Sequence, residues 1–558
     1  MEASRSQFGV RLMPSLTDFA FLMPIVFLFA RMDGLLTLLG DCDTGWHIRT
    51  GEWILAHHAV PARDIFSFSK PGEAWFAWEW LAEVIFAWVN RHGGLATLAL
   101  FSIVLLSVTF TLLFRQVRRQ SNAVVAILVT ILAAAASSIH WLARPHLFTL
   151  LFLVLYYAAL ERVRSGRTHL GGVPLLAILP VATILWTNLH GGFFVGIVLI
   201  GSYGVGEVLR VLFAAGDSGR GPRLVAAAKY FASALACLAA SLINPYTYHL
   251  HVHVVEFLRD PYQPTIIMEF LSLNFHHPIA IFFECMLLLS CLASFWHITR
   301  GSFTEPVILL MWAHGALLSS RNIPIFMILA APPVGMALGA WLQLLPEWNV
   351  AGWLRRAVQK FNTVAAETTE TDSIGRLHLV SALGVAVVAA LLYAPHPPKK
   401  FRAEFDPDRY PAGAMEVLKR DPSARVFTFD QWGDYMIYRL YPRARVFMDG
   451  RFDYYGDDFE KATNDVLNVR YGWEKTLGRY GVDTVLLPPS APLTGALKES
   501  SRWRVVYDDG IALVFRSNQP ERGTQESAAN RGSGEGRDRE VTKTEASDLA
   551  ITVTKPKS

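Results

Sequence analysis

The stretch "LLGDCDTGWHIRTGEWIL", residues 38–55, places two aspartates, Asp41 and Asp43, directly behind an apolar run of membrane-helix length. A chain leaving a bilayer usually carries an aromatic residue or a lysine at that depth, so two carboxylates there need a reason. The preceding run, about 16–37, is the first of eleven such segments. The clearest is "GLATLALFSIVLLSVTFTLLF" (Gly94–Phe114), whose 21 residues carry no charge and can cross a hydrocarbon core of about 30 Å as a helix. The others fall at 122–141, 145–161, 172–188, 191–212, 224–243, 278–296, 305–320, 322–343 and 376–394. The 558 residues are 52% hydrophobic and 18% charged, against about a quarter charged in a soluble chain. An all-α polytopic membrane bundle of about eleven transmembrane helices is predicted, spanning residues 1–396.

Orientation follows from the loops. "RQVRRQ" (115–120), "ERVRSGRTH" (161–169), "DSGRGPR" (217–223) and "WLRRAVQK" (353–360) are rich in Arg, and the alternate loops are not. The positive-inside rule puts the basic set in the cytoplasm. The N-terminus is then cytoplasmic, and the first outer loop (40–80), the long outer loop (244–277) and everything after Ala394 are exoplasmic. The net charge of +4 is the sum of these loops rather than a nucleic-acid patch. Of four cysteines only Cys42 faces outside, which supports neither a disulfide framework nor a thiolate metal site.

Beyond Lys399 the apolar runs shorten. "ARVFTF" (424–429), "ARVFMDG" (444–450), "DTVLLPP" (483–489), "WRVVYDD" (503–509) and "IALVFR" (511–516) read as strands, with helical patterns between them. A small exoplasmic α/β domain over 397–517 follows, with no glycine-rich phosphate loop. Asp430 is placed to cap a helix starting near Gly433, with Trp432 and Tyr435 at the domain's open end. The stretch 518–558 is too polar to bury a core and is predicted to be disordered.

Ionisable and polar residues gather on the outer side of the bundle. Asp41, Asp43, His47, Asp64, Glu79 and Glu83 lie in or beside the first outer loop. "HWLARPHLF" (140–148) brings Arg144 and His146, and "WTNLHGGF" (186–193) brings His190. "INPYTYHLHVHVVEF" (243–257) brings Asn244, "IIMEFLS" (266–272) brings Glu269 and "SSRNIPIF" (319–326) brings Arg321. Ionisable residues at membrane depth are costly and mark sites. "WHIRTGEWILAHH" reads as an amphipathic helix lying on the membrane and roofing the spans. Plainer readings stand beside these. One aspartate of the pair could cap that helix. The histidines of "HLHVHVV" could be a solvated face rather than a metal cluster, Arg144 and Arg321 could anchor helix ends, and Trp75, Trp78 and Trp80 could form an aromatic belt.

On these residues the chain resembles the GT-C type membrane glycosyltransferases, which include protein O-mannosyltransferases, the lipid A aminoarabinose transferase and the catalytic subunit of oligosaccharyltransferase. "GDCDTGWH" occupies the position of their acidic motif after the first span. "DQWGDYMIYRLYPRARVFMDGR" (430–451) looks like the "WWDYG" region of oligosaccharyltransferase, with one Trp missing and "WGDY" for "WDYG". The elements "GWHI", "RPHLF", "NLHGGF" and "FMDGRFDYY" are similar to those of a bacterial group of such proteins, which implies a bacterial inner membrane. The resemblance implies an inverting, carboxylate-assisted transfer of a sugar from a polyprenyl-phosphate-linked donor to an exoplasmic glycan, lipid or protein. It implies Asp43, then Asp41, as base and Glu269 as second carboxylate, with Arg144, His146 and Arg321 on the donor phosphate. His47, Glu79, His190, Asn244, Trp432, Asp449 and Arg451 are the candidates to hold sugar and acceptor. No cofactor is certain. A divalent metal between Asp43 and Glu269 fits the resemblance, although no spacing in this chain indicates one. The rival reading is a non-catalytic component, or a transporter or flippase of a lipid-linked glycan pathway. A transporter would carry ionisable residues at mid-span and on both sides.

Overall fold

The computed structural model describes residues 11–214, 217–260, 262 and 267–518. The tail predicted to be disordered lies, Asn518 apart, outside the described residues. Among these residues, seven helices are long and apolar enough to cross a membrane. Leu175–Leu189, Thr304–Leu318 and Leu379–Leu392 are shorter apolar helices. Leu16–Val26 runs on through a π turn, Phe27–Arg31. Every one of the eleven predicted segments holds a helix, but only seven reach spanning length.

Lipid offers no hydrophobic drive between helices, so close packing of small residues does the work. In Ile323–Leu344, a Cβ on Gly335 would lie 2.5 Å from Val117, and one on Gly339 would lie 2.6 Å from Ser121. The predicted segment starting at Gly94 is the second part of a 39-residue helix, Trp80–Arg118. It kinks at Gly93–Gly94, where Gly94 takes a φ of +67° that side chains resist.

Asp43–His57 is a helix, as its periodicity predicts, and its apolar residues Trp46 and Ile54 are buried in protein. It is wedged between two other helices. On one side a Cβ at Gly51 would sit 1.9 Å from the Glu83 carbonyl. On the other, a Cβ at Gly45 would sit 2.7 Å from Tyr438 of the C-terminal helix Asp430–Leu440. Two glycines six apart open the helix to close neighbours on both sides. Arg49 then ties it down by donating to the Tyr438 carbonyl. Hydrophobic periodicity records that a face is buried without saying whether lipid or protein buries it.

The C-terminal region forms a four-stranded sheet. Val426–Phe427 pairs in parallel with Thr484–Leu487, which is followed across the sheet by Leu513–Ser517 and then Trp503–Asp508, both antiparallel. The stretch 444–450, read from sequence as a strand, is not in this sheet. It runs out to the loop 40–80 instead: Phe68 N–H donates to the Val446 carbonyl at 2.9 Å and Val446 N–H to Phe66 at 3.0 Å. Phe447 meanwhile packs among Phe427, Phe459 and Tyr480. Its alternation is real, but its hydrogen bonds go to another part of the chain.

Candidate active site

Three parts of the chain converge at one end of the bundle: the loop 40–80, the ends of several apolar helices, and the C-terminal region. Together they enclose a cavity of about 350 Å³. Asp41, Asp43, His47, Glu79, Arg144, Glu269, Arg321 and Arg451 line it, with Trp46, Trp75, Trp78 and Phe270 as its aromatic wall. The arginine-rich ends of the helices Trp80–Arg118 and His146–Arg164 lie at the opposite end of the bundle.

Arg144 is the hub. Its guanidinium meets Asp41 at 2.7 Å and Asp43 at 2.8 Å and reaches Glu269 at 3.8 Å. Arg321 holds the other oxygen of Glu269 at 3.2 Å. Burial alone would raise the Glu269 carboxyl, but Arg321 and Arg144 outweigh it and hold the group at about 2. Asp41 accepts from the Asp43 backbone N–H at 2.9 Å. Asp43 itself sits in the first helical turn without capping it, because the N-cap position is Cys42. Burial pushes Asp43 well above the usual carboxylate range, with Arg144 opposing.

A second carboxylate system lies behind. Glu79 faces His190 at 3.3 Å and His47 at 3.6 Å, while His47 reaches Glu83 at 3.3 Å. The His190 tautomer is fixed by its far side, where Nδ1 accepts from the Gly192 N–H at 2.9 Å, leaving Nε2 to donate. Burial raises Glu79 to about 7, against the pull of Arg144 and Arg321. Burial also keeps His47 well below its usual range.

The geometry does not suit a divalent metal between Asp43 and Glu269. Both carboxylates turn to Arg144, whose guanidinium already supplies the positive charge. Among the described residues no group of three or more His, Cys, Asp or Glu side chains is placed to hold a metal ion.

Two solved structures of the oligosaccharyltransferase from Archaeoglobus fulgidus share this architecture. The apo form superposes with a TM-score of 0.51 at 12% identity, covering 84% of this chain and 69% of that one. The structure of AglB in complex with an inhibitory peptide and a dolichol-phosphate gives 0.51 at 12%, covering 90% and 74%. The chain has the fold of these oligosaccharyltransferases. No family model matches it, and no curated protein matches it in sequence.

Within this shared architecture several predicted residues stand off the cavity. His146 donates to the His140 carbonyl at 2.9 Å and is buried behind Arg144. Asn244 folds its own turn, donating to the Ser241 and Thr247 carbonyls and accepting from the Tyr246 N–H. Trp432 is packed inside the C-terminal region, its indole donating to the Arg409 carbonyl at 3.0 Å. Tyr435 stacks on Tyr410 rather than facing the cavity. The helix begins at Asp430 with no side-chain cap, so Asp430 does not play the capping role assigned to it. Instead it lines the cavity with Gln431. Asp449 is fully buried and bonds Arg451. The histidines of the helix His249–Arg259 do not cluster: His251 meets Ser241 and His253 meets Asp453 of the C-terminal region. Gly450 and Asp453 were not singled out in the sequence, yet both line the cavity. The "FMDGRFDYY" element contains both.

Proposed function

We propose that the protein is a membrane glycosyltransferase that takes a sugar from a polyprenyl-phosphate-linked donor to an acceptor hydroxyl on the cavity side. One observation carries the reading: two arginines and three carboxylates from separate elements meet in one cavity at the membrane end of a GT-C fold. Arg321 has one carboxylate partner and a guanidinium facing the cavity, which suits it to the leaving phosphate. Arg144 is committed to Asp41 and Asp43 and serves to hold them. Asp43 is the base, and Glu269 fixes both arginines. The dolichol-phosphate in the archaeal structure favours a lipid-phosphate donor. The cavity side is taken as exoplasmic because the arginine-rich ends lie opposite. A transporter would need ionisable groups lining a path along its length, whereas the buried charges here form separate clusters at the two ends: this cavity, and Glu161, Arg164, His297 and Glu305 at the other.

Transfer of labelled sugar from polyprenyl-phosphate donors by the purified protein tests this. The wild type is expected to release polyprenyl phosphate, and Arg321→Ala to raise the donor KM. In right-side-out vesicles, added protease is expected to cut the C-terminal region. A folded wild type that releases no lipid phosphate from any such donor would leave a binding or scaffold role.

Glu79 gives the site a pH signature. It is neutral below about 7 and negative above, and its added charge then repels a bound phosphate. The donor KM is expected to climb as pH rises through about 7. In Glu79→Gln it should stay flat over that interval. A parallel climb in the variant would assign the effect to another group.

A further inference from the structure

Two buried oxygens in the site have no hydrogen-bond donor: Asp43 Oδ1 and Asp434 Oδ2. They belong to helices far apart in sequence, Asp43–His57 and Asp430–Leu440, which touch through Gly45. Gly450 brings the two oxygens to one point. A Cβ there would lie 2.5 Å from Asp43 Oδ1 and 2.8 Å from Asp434 Oδ2. The remaining oxygens are satisfied: Asp43 Oδ2 by Arg144 at 2.8 Å, and Asp434 Oδ1 by the Gly450 N–H at 2.9 Å. Asp434 is fully buried. Gly433 fixes its approach, because a Cβ there would lie 1.9 Å from the Met448 carbonyl, so no aromatic residue fits before this aspartate.

Two ionised carboxylates facing each other, out of water and with no donor between them, repel. A single proton turns the repulsion into an O–H···O bond. We propose that Asp43 and Asp434 share one proton, which makes Asp434, from the C-terminal region, a positioning residue of the transfer centre. The surrounding charges agree. Asp41, Glu269, Asp430 and Asp449 also face the pair, and Arg144 is the cation in contact with it. Burial raises both groups well above the carboxylate range; the Asp43 charge raises Asp434 further, while the hydrogen bond from Asp434 lowers Asp43.

The inference rests on the transferase reading for its chemistry. With the proton on Asp434 and donated to Asp43 Oδ1, Asp43 carries one negative charge, and Oδ2, held by Arg144 at 2.8 Å, keeps a second lone pair for a proton from the cavity. As the acceptor oxygen bonds to the sugar carbon, its proton passes to Asp43 Oδ2. The bond from that carbon to the phosphate oxygen breaks, with the electron pair leaving on the phosphate.

Infrared spectroscopy of the resting protein reads the proton without turnover, so its outcome is independent of the transferase assignment. Wild type minus Asp434→Asn is expected to contain one protonated-carboxyl band. Wild type minus Asp43→Asn should contain the same band, and the double variant should lose no more than either. If Asp434→Asn removes no protonated carboxyl, the shared proton is refuted. If it removes a band that Asp43→Asn leaves in place, the proton belongs to Asp434 alone and the sharing is refuted. In transfer assays Asp434→Leu is expected to lower kcat by up to about 10²-fold through misplacement of Asp43, with the donor KM unchanged. Asp434→Asn, whose amide is a permanent donor, should recover much of that loss. An Asp434→Leu protein that folds and keeps the wild-type kcat would overturn the positioning role.

Discussion

Asp43→Asn is expected to lower the rate of sugar transfer by about 10²–10⁴-fold while leaving the melting temperature close to that of the wild type. The substitution keeps the shape and adds an amide donor opposite Asp434. It removes the charge that faces Arg144 at 2.8 Å and the basicity that the mechanism needs. Asp43 makes no cap, so the cost of a lost cap, about 1 kcal/mol, does not enter. The decisive measurement pairs transfer from a polyprenyl-phosphate donor with a melting curve on the same preparation. A variant that melts low but turns over at the wild-type rate would make these carboxylates structural. The transferase reading would then rest on fold alone.

Arg451→Met is expected to produce the largest loss of stability. Arg451 is 2% exposed. It holds Asp449 at 2.7 Å and Asp64 at 2.8 Å, and its guanidinium lies 4.4 Å from the centre of the Trp75 ring. Asp64 and Trp75 belong to the loop 40–80, and Asp449 to the C-terminal region. Methionine fills the space but leaves two buried carboxylates without their cation, a loss of about 3–5 kcal/mol. Arg451→Lys is not expected to rescue, since one ammonium cannot reproduce a forked contact with two carboxylates beneath aromatic rings. Thermal melting, followed by proteolysis of the loop 40–80, checks both variants. An Arg451→Met protein that melts with the wild type would show that the loop is held by its backbone pairing at Val446 instead.

Much of this was legible in the sequence. The helices follow from long apolar runs, and the cavity follows from the mix of carboxylates, histidines and arginines where those runs meet the outer loops. Asp41, Asp43, Arg144, Glu269 and Arg321 each stood out as charges where a membrane segment stops. The errors share one cause: a linear pattern does not name the neighbour. The helix Asp43–His57 has an apolar face, which was assigned to lipid but meets protein. The stretch 444–450 alternates like a sheet strand but pairs with the loop 40–80. Trp432 was prominent as an aromatic residue in a motif, yet it serves the core. Asp434, two positions on, carries no such signal, because an aspartate inside an amphipathic helix reads as solvated surface. The missing Trp at Gly433 was the available signal, since a glycine in mid-helix marks a close backbone approach.

The wedge formed by the helix Asp43–His57 also dictates an order of events during synthesis. That helix is among the first parts of the chain to be made, and one of the two surfaces that clasp it, Asp430–Leu440, is among the last. At ribosomal speeds of about 5–20 residues per second, the interval is roughly 20–75 s. Once residue 144 has been made, Asp43 has Arg144 within reach but still no Asp434, Gly450 or Arg451 to close the cavity. A nascent chain therefore sits in the bilayer beside any lipid carriers with its reaction chamber still open, and synthesis of the C-terminal region is what arms it.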